Sequence, residues 1–98
     1  MRRGGYVYIL TNRPDGTLYL GVARDLRQRL WQHRHDKKGF VGRYGLYRLV
    51  YVESHPTIMA AITREKQLKQ WQRAWKVRLI LGTNPEWDDL TPELLDLD

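Results

Sequence analysis

The chain has no cysteine, which excludes a disulfide framework, a thiolate zinc site and a cysteine nucleophile. Its three histidines, His33, His35 and His55, are too few to make a zinc site without an unusual ligand set. Long apolar runs are missing as well. The N-terminal run from Tyr6 to Leu10 is five residues, too short for the apolar region of a signal peptide and far too short to cross a bilayer. The chain therefore reads as cytoplasmic, with no membrane partner. Basic residues are absent beyond Arg78, whereas Glu86, Asp88, Asp89, Glu93, Asp96 and Asp98 follow it.

What remains is 98 residues, 42% of them hydrophobic and 11% aromatic, enough for one domain with a modest core. The net charge of +6 conceals a division. Residues 1–82 hold all 17 basic residues against five acids, a net of +12, while the stretch from Thr83 onward is purely acidic. A body this cationic is suited to a polyanion, and nucleic acid is the commonest one. We read residues 1–90 as a single domain and 91–98 as an acidic tail. Trp87, Leu90, Leu94 and Leu95 suggest that the acidic segment packs back on the body, where its charge would cover part of the cationic face.

Tyr6 to Leu10 is β-branched and aromatic and reads as a strand covered on both faces. Arg13-Pro14-Asp15-Gly16 has the pattern of a type I turn, and Thr17 to Val22 completes a hairpin. Asp25 can cap a helix running to about Asp36, with Leu26 and Leu30 facing the core. Lys37 to Gly45, with three glycines, reads as a cationic loop, and Tyr47 to Glu53 as a third strand. Pro56-Thr57 opens a second helix. Trp71 to Ile80 continue it or form a third helix after a bend, and Gly82 reads as the stop. The order ββαβαα predicts an α+β fold: a three-stranded antiparallel sheet flanked by helices.

At about 100° per residue, Glu65 falls midway through the stripe formed by Ile58, Ala61, Ile62 and Leu68. A carboxylate there is costly to desolvate without a partner. It is either an inward Glu held by an arginine or a ligand for Mg²⁺ or Mn²⁺, hard ions that accept one carboxylate plus waters and phosphate oxygens. Arg29 and His33, four apart, share one helix face, and a half-buried Arg beside a His can clamp a phosphate. Arg24, Arg27 and Arg34, with Lys37, Lys38 and Arg43 in the glycine-rich segment, are candidates for phosphate contacts. Tyr6 and Tyr8 alternate onto one strand face, and Tyr19 comes from the neighbouring strand. They are packing aromatics, or a tyrosine among them serves as a general base with its hydroxyl near a metal and an arginine.

Taken in order, Tyr6-Val7-Tyr8, Tyr19-Leu20-Gly21, the helix from Asp25 to His33, Arg64-Glu65-Lys66-Gln67-Leu68-Lys69 followed by Trp71, and Asn84 to Leu90 resemble the small stand-alone branch of the GIY-YIG nuclease superfamily. The resemblance runs from about Gly5 to Leu90. It implies an endonuclease that hydrolyses phosphodiester bonds in DNA, RNA not being excluded, with one divalent ion. It further implies Tyr19 as general base, Tyr8 orienting the water or phosphate, and Arg29 stabilising phosphoryl charge. His33 would lie near the scissile phosphate, Glu65 would be the sole protein ligand of the metal, and Asn84 would match a late Asn of the family. Two positions depart from the pattern: Tyr6 replaces the first Gly, and Val22 stands where some members carry a Lys. Two other readings are a non-catalytic nucleic-acid-binding module on the same fold and a small protein that docks an acidic partner.

Overall fold

A computed structural model describes residues 4–92. Strand β1 (Gly5–Thr11) pairs antiparallel with β2 (Leu18–Ala23) on one side and with β3 (Arg48–His55) on the other, giving the order β2-β1-β3. The most apolar strand is thus the central one, and Val7, Tyr8, Ile9 and Leu10 are all buried. In the β1–β3 ladder Ile9 faces Tyr51 but Leu10 faces Leu49, so Val50 is an unpaired extra residue. Such a bulge lets Val50 and Tyr51 pack on one side of the sheet while Leu49 packs on the other.

The hairpin turn closes with the Gly16 N–H donating to the Arg13 carbonyl at 2.9 Å. Asp15, its third residue, has φ 58°, whereas a type I turn requires a negative φ there. The left-handed conformation is one that Asp tolerates better than most residues. Arg73 clamps the turn from outside by donating to the carbonyls of Gly16 (2.7 Å) and Asp15 (3.0 Å).

Helix α1 (Leu26–His35) begins at Asp25, whose side chain accepts from the Gln28 N–H at 3.1 Å. The segment expected to be wholly loop contains a short helix, α2 (Phe40–Tyr44), which ends on Gly45 at φ 63°. It has no side-chain cap; buried Val41, followed by buried Leu46, anchors it. Thr57 caps α3 (Ile58–Gln70) by accepting from the Ala60 N–H. The chain breaks at Trp71 and Gln72, then continues as α4 (Arg73–Thr83). Gly82 lies inside α4; the helix stops at Asn84, ahead of Pro85.

Two apolar layers sandwich the sheet. Val7, Ile9, Leu20 and Val50 meet Ala61 and Leu68 of α3 and Ile80 of α4, with Trp87. On the other face Tyr8, Leu10 and Leu49 meet Leu26 and Leu30 of α1, Val41 of α2, and Leu46. Burying each leucine contributes about 1.5–3 kcal/mol, which holds α1 against the strands. The acidic segment packs back as expected: Trp87 is buried, and Leu90 donates its N–H to the Leu49 carbonyl at 2.8 Å. Leu94 and Leu95 lie outside the described residues.

Candidate active site

Tyr8 shares a sheet face with Leu10, and the register sets Gly21 opposite Tyr8 and Tyr19 opposite Leu10. The Tyr8 ring lies over Gly21 so closely that a Cβ there would overlap both the ring and the hydroxyl. Gly21 is thus the floor on which Tyr8 rests. Tyr19 stands diagonally across, its ring centre 6.5 Å from that of Tyr8. Leu26 and Leu30 turn the flank of α1 toward this spot, and His33, three residues past Leu30, enters between the tyrosines. Its ring centre is 5.9 Å from Tyr8 and 5.5 Å from Tyr19, edge-on to both. Tyr8 Oη and His33 Nε2 share a hydrogen bond of 2.8 Å.

Tyr8 is only 1% exposed, and burial drives its hydroxyl well above the usual tyrosine range. Tyr19 pushes the same way, while Arg29 opposes through its charge and hydrogen bonding to the hydroxyl. Burial, aided by the charge of Arg29, lowers the pKa of His33 below its ordinary value. At neutral pH the pair is therefore a protonated phenol and a neutral imidazole. Tyr8 is a poor base but a good positioning donor; Tyr19 and His33 are more accessible, and the neutral imidazole can receive a proton.

Arg29 is exposed rather than half-buried. Its guanidinium donates weakly to Gln32 Oε1 at 3.4 Å, and it borders a cleft of about 320 Å³ with Arg24, Gln28 and Ile58. Glu65 is 7% exposed and lies close enough to Tyr8 to raise its pKa. Its partner is not an arginine but Lys69, one helical turn away, whose Nζ lies 2.7 Å from Glu65 Oε2. That hydrogen bond raises the Lys69 pKa, and the charge of Tyr19 adds a smaller push in the same direction. Lys69 is the residue that sequence reasoning missed. The i,i+4 spacing from Glu65 was the available signal.

Among the described residues, no group of three His, Cys, Asp or Glu side chains converges in a way that could hold a metal. Glu65 stands as a single buried carboxylate already paired with a cation. That donor set fits a hard divalent ion that takes its other ligands from water and phosphate.

The remaining candidates divide. Arg24, Arg27, Lys37, Lys38 and Arg43 are exposed. Lys37 sits 5.7 Å over the Tyr47 ring and Arg43 5.9 Å over that of Tyr44. Arg34 is engaged by the C-terminal segment: it donates to the Tyr47 carbonyl (3.0 Å) and to Thr91, and pairs with Asp89 at 3.8 Å. Tyr6 packs as a half-buried wall of the Tyr8 cluster. Asn84 is buried away from the tyrosines. It donates to the carbonyls of Val50 and Asp88 and accepts from the Asp88 N–H, so its amide fastens the turn after α4.

A second polar cluster lies on β3, where Tyr51, Glu53 and His55 alternate onto one face. Glu53 accepts from the Tyr51 hydroxyl (2.6 Å) and lies 2.9 Å from His55 Nε2, and Arg64 donates to both carboxylate oxygens. The adjoining cavity of about 500 Å³, lined by Tyr51, Trp71 and Trp75, includes none of the tyrosine-site residues.

A family model described as the GIY-YIG catalytic domain matches residues 4–78. A UPF0213 protein of Syntrophus aciditrophicus is 36% identical over 83 residues, spanning 83% of this chain and 93% of that one. A UPF0213 protein of Staphylococcus aureus is 37% identical over 79 residues, spanning 76% and 92%. The solution NMR structure of a UPF0213 protein from Bacillus halodurans superposes with a TM-score of 0.56 at 29% identity, covering 90% of this chain and 94% of that one. The motifs, the sheet order and these matches agree: the chain belongs to the GIY-YIG catalytic domain family, within its UPF0213 group.

Proposed function

We propose that this protein is a divalent-metal-dependent endonuclease that hydrolyses phosphodiester bonds in structured or single-stranded DNA. The observation that carries this reading is Glu65, a carboxylate buried on an apolar helix stripe beside the tyrosine cluster, with a cation already at its oxygen. A pure binding module has no use for so costly a group at that position. Glu65 would hold Mg²⁺ or Mn²⁺, which when bound supplies charge stabilisation at the leaving oxygen.

The chain's own residues account for the rest. Arg29, exposed beside the cleft, meets the phosphate and opposes the charge that builds on it in the transition state. Tyr8, held protonated and accepting from the His33 Nε2–H, donates its own hydroxyl proton in a hydrogen bond that orients the attacked group, and Gly21 keeps its ring in place. Tyr19, as a phenolate stabilised by the Lys69 ammonium, takes the proton from the attacking water and becomes the neutral phenol. Lys69 thereby supplies from α3 the cation that Val22 does not supply from the hairpin. A neutral His33 edge-on to Tyr19 favours a second assignment of the base, in which the imidazole takes the proton.

The test incubates the protein with supercoiled plasmid, branched duplexes and single strands in Mg²⁺, Mn²⁺ or EDTA. Metal-dependent cleavage that falls about 10²–10³-fold in Arg29→Ala supports the proposal. Tyr19→Phe against His33→Gln assigns the base. Salt-sensitive binding with no cleavage of any substrate would replace the enzyme with a binding module.

A further inference from the structure

The ring row of the tyrosine site does not end at Tyr19. Phe40, the first residue of α2, stacks on Tyr19 with ring centres 6.1 Å apart and an interplanar angle of 29°. Tyr44, one turn later, has its ring centre 4.8 Å from that of Phe40, and the Arg43 guanidinium lies 5.9 Å from the Tyr44 ring centre. Phe40 is 49% exposed and Tyr44 53%. In so small a helix, exposing two large rings forgoes apolar burial that Val41 and Leu46 alone must replace. The helix is nonetheless firmly seated. A Cβ at Gly42 would overlap the Asp36 carbonyl and crowd the Lys37 backbone, so α2 lies hard against the preceding loop.

Resting on the proposed nucleic-acid substrate, we propose that α2 carries a nucleobase-stacking subsite. In it Phe40 and Tyr44 receive unpaired bases of one strand beside the phosphate bound at Tyr19 and Arg29. Charge selects this occupant. Residues 24–45 hold seven basic residues against two acids, and Lys37, Lys38 and Arg43, the cations of the α2 segment, are all exposed. An apolar protein partner has no need of such a field, whereas a strand uses both features: rings for the bases and cations for the backbone. The rings are continuous with Tyr19, so a strand stacked on them passes directly over the candidate site.

The experiment is fluorescence anisotropy in EDTA, which reads binding without cleavage. It compares a labelled oligothymidylate with an abasic strand of equal length and charge. Wild type is expected to bind the base-bearing strand about 10-fold or more tighter. Tyr44→Ala should lose roughly 5- to 100-fold on that strand, the range of one base–aromatic stack, while leaving the abasic strand unaffected. Tyr44→Trp should restore the preference, which a merely structural role for Tyr44 would not do. Equal wild-type affinity for the two strands would overturn the subsite. So would a Tyr44→Ala protein that keeps the preference, or one whose sedimentation falls from dimer to monomer at unchanged oligonucleotide affinity, since the rings would then serve a second copy. A protein that stacks bases but cleaves nothing would remove the proposed enzyme and leave the subsite standing; a nuclease indifferent to bases would do the reverse.

Discussion

Three glycines should respond to alanine in three different ways, and Gly21 is the decisive one. Its added Cβ would intrude on the ring and hydroxyl of Tyr8. Tyr8 cannot retreat, because it is 1% exposed and bound to His33 at 2.8 Å. Overpacking a filled core costs about 1–3 kcal/mol, and breaking the Tyr8–His33 hydrogen bond costs about 1 kcal/mol more. Gly21→Ala should therefore lose about 2–4 kcal/mol. At ~4–8 °C per kcal/mol for a domain of this size, its Tm should drop by at least ~8 °C. Gly45, at φ 63° with open space around it, should lose only about 1 kcal/mol through backbone strain. Gly82, inside α4 and unobstructed, should gain about 0.5–1 kcal/mol through helix propensity. Urea unfolding of the three variants, followed by circular dichroism, measures all three. A Gly21→Ala protein as stable as Gly45→Ala would refute the close packing of Tyr8 on Gly21.

Stability should also decline in two acid steps. His33 has a folded pKa below its unfolded 6.5, so its contribution is present above that pH and is lost as pH falls through and below it; His33→Gln should flatten this step in a urea–pH series. Burial alone would raise Glu53, but hydrogen bonds from Arg64, Tyr51 and His55 hold it at about 2. Its contribution is therefore present above the unfolded value of about 4.3 and lost as pH falls toward 2, and Glu53→Gln should remove that limb. Lys69→Gln should bind Mn²⁺ several-fold more tightly by calorimetry, because no ammonium then competes for Glu65 Oε2. Affinity that falls in this variant would mean that Lys69 assists rather than competes.

The parts of the fold with local causes were legible. Asp25 and Thr57 announce their helices through capping chemistry, and the β1 run announces a central strand through unbroken apolarity. Glu65 was legible because helical periodicity alone sets it among Ile58, Ala61 and Leu68. Helix α2 was not, because its three nearby glycines and its cations outweigh two anchors, Val41 and Leu46, whose burial depends on distant partners. The Asp15 conformation was hidden by a sequence pattern that serves more than one turn type. Lys69 was passed over as one more surface cation, Tyr51 and Glu53 as ordinary strand residues, and His55 lay beyond the expected end of that strand. The i,i+4 spacing was the local sign of the Glu65–Lys69 pairing, whereas the β3 cluster is tied together by Arg64 arriving from α3, which only the tertiary fold reveals.

The proposed role of Glu65 in chemistry, rather than in binding or folding, is decided by measuring, on one DNA substrate, the cleavage rate and the affinity of Glu65→Ala beside wild type. Cleavage should fall at least ~10²-fold with affinity changed less than about threefold, since the groups proposed to meet the backbone are the cations. Cleavage that persists in Glu65→Ala, or affinity that collapses along with it, would rule that role out.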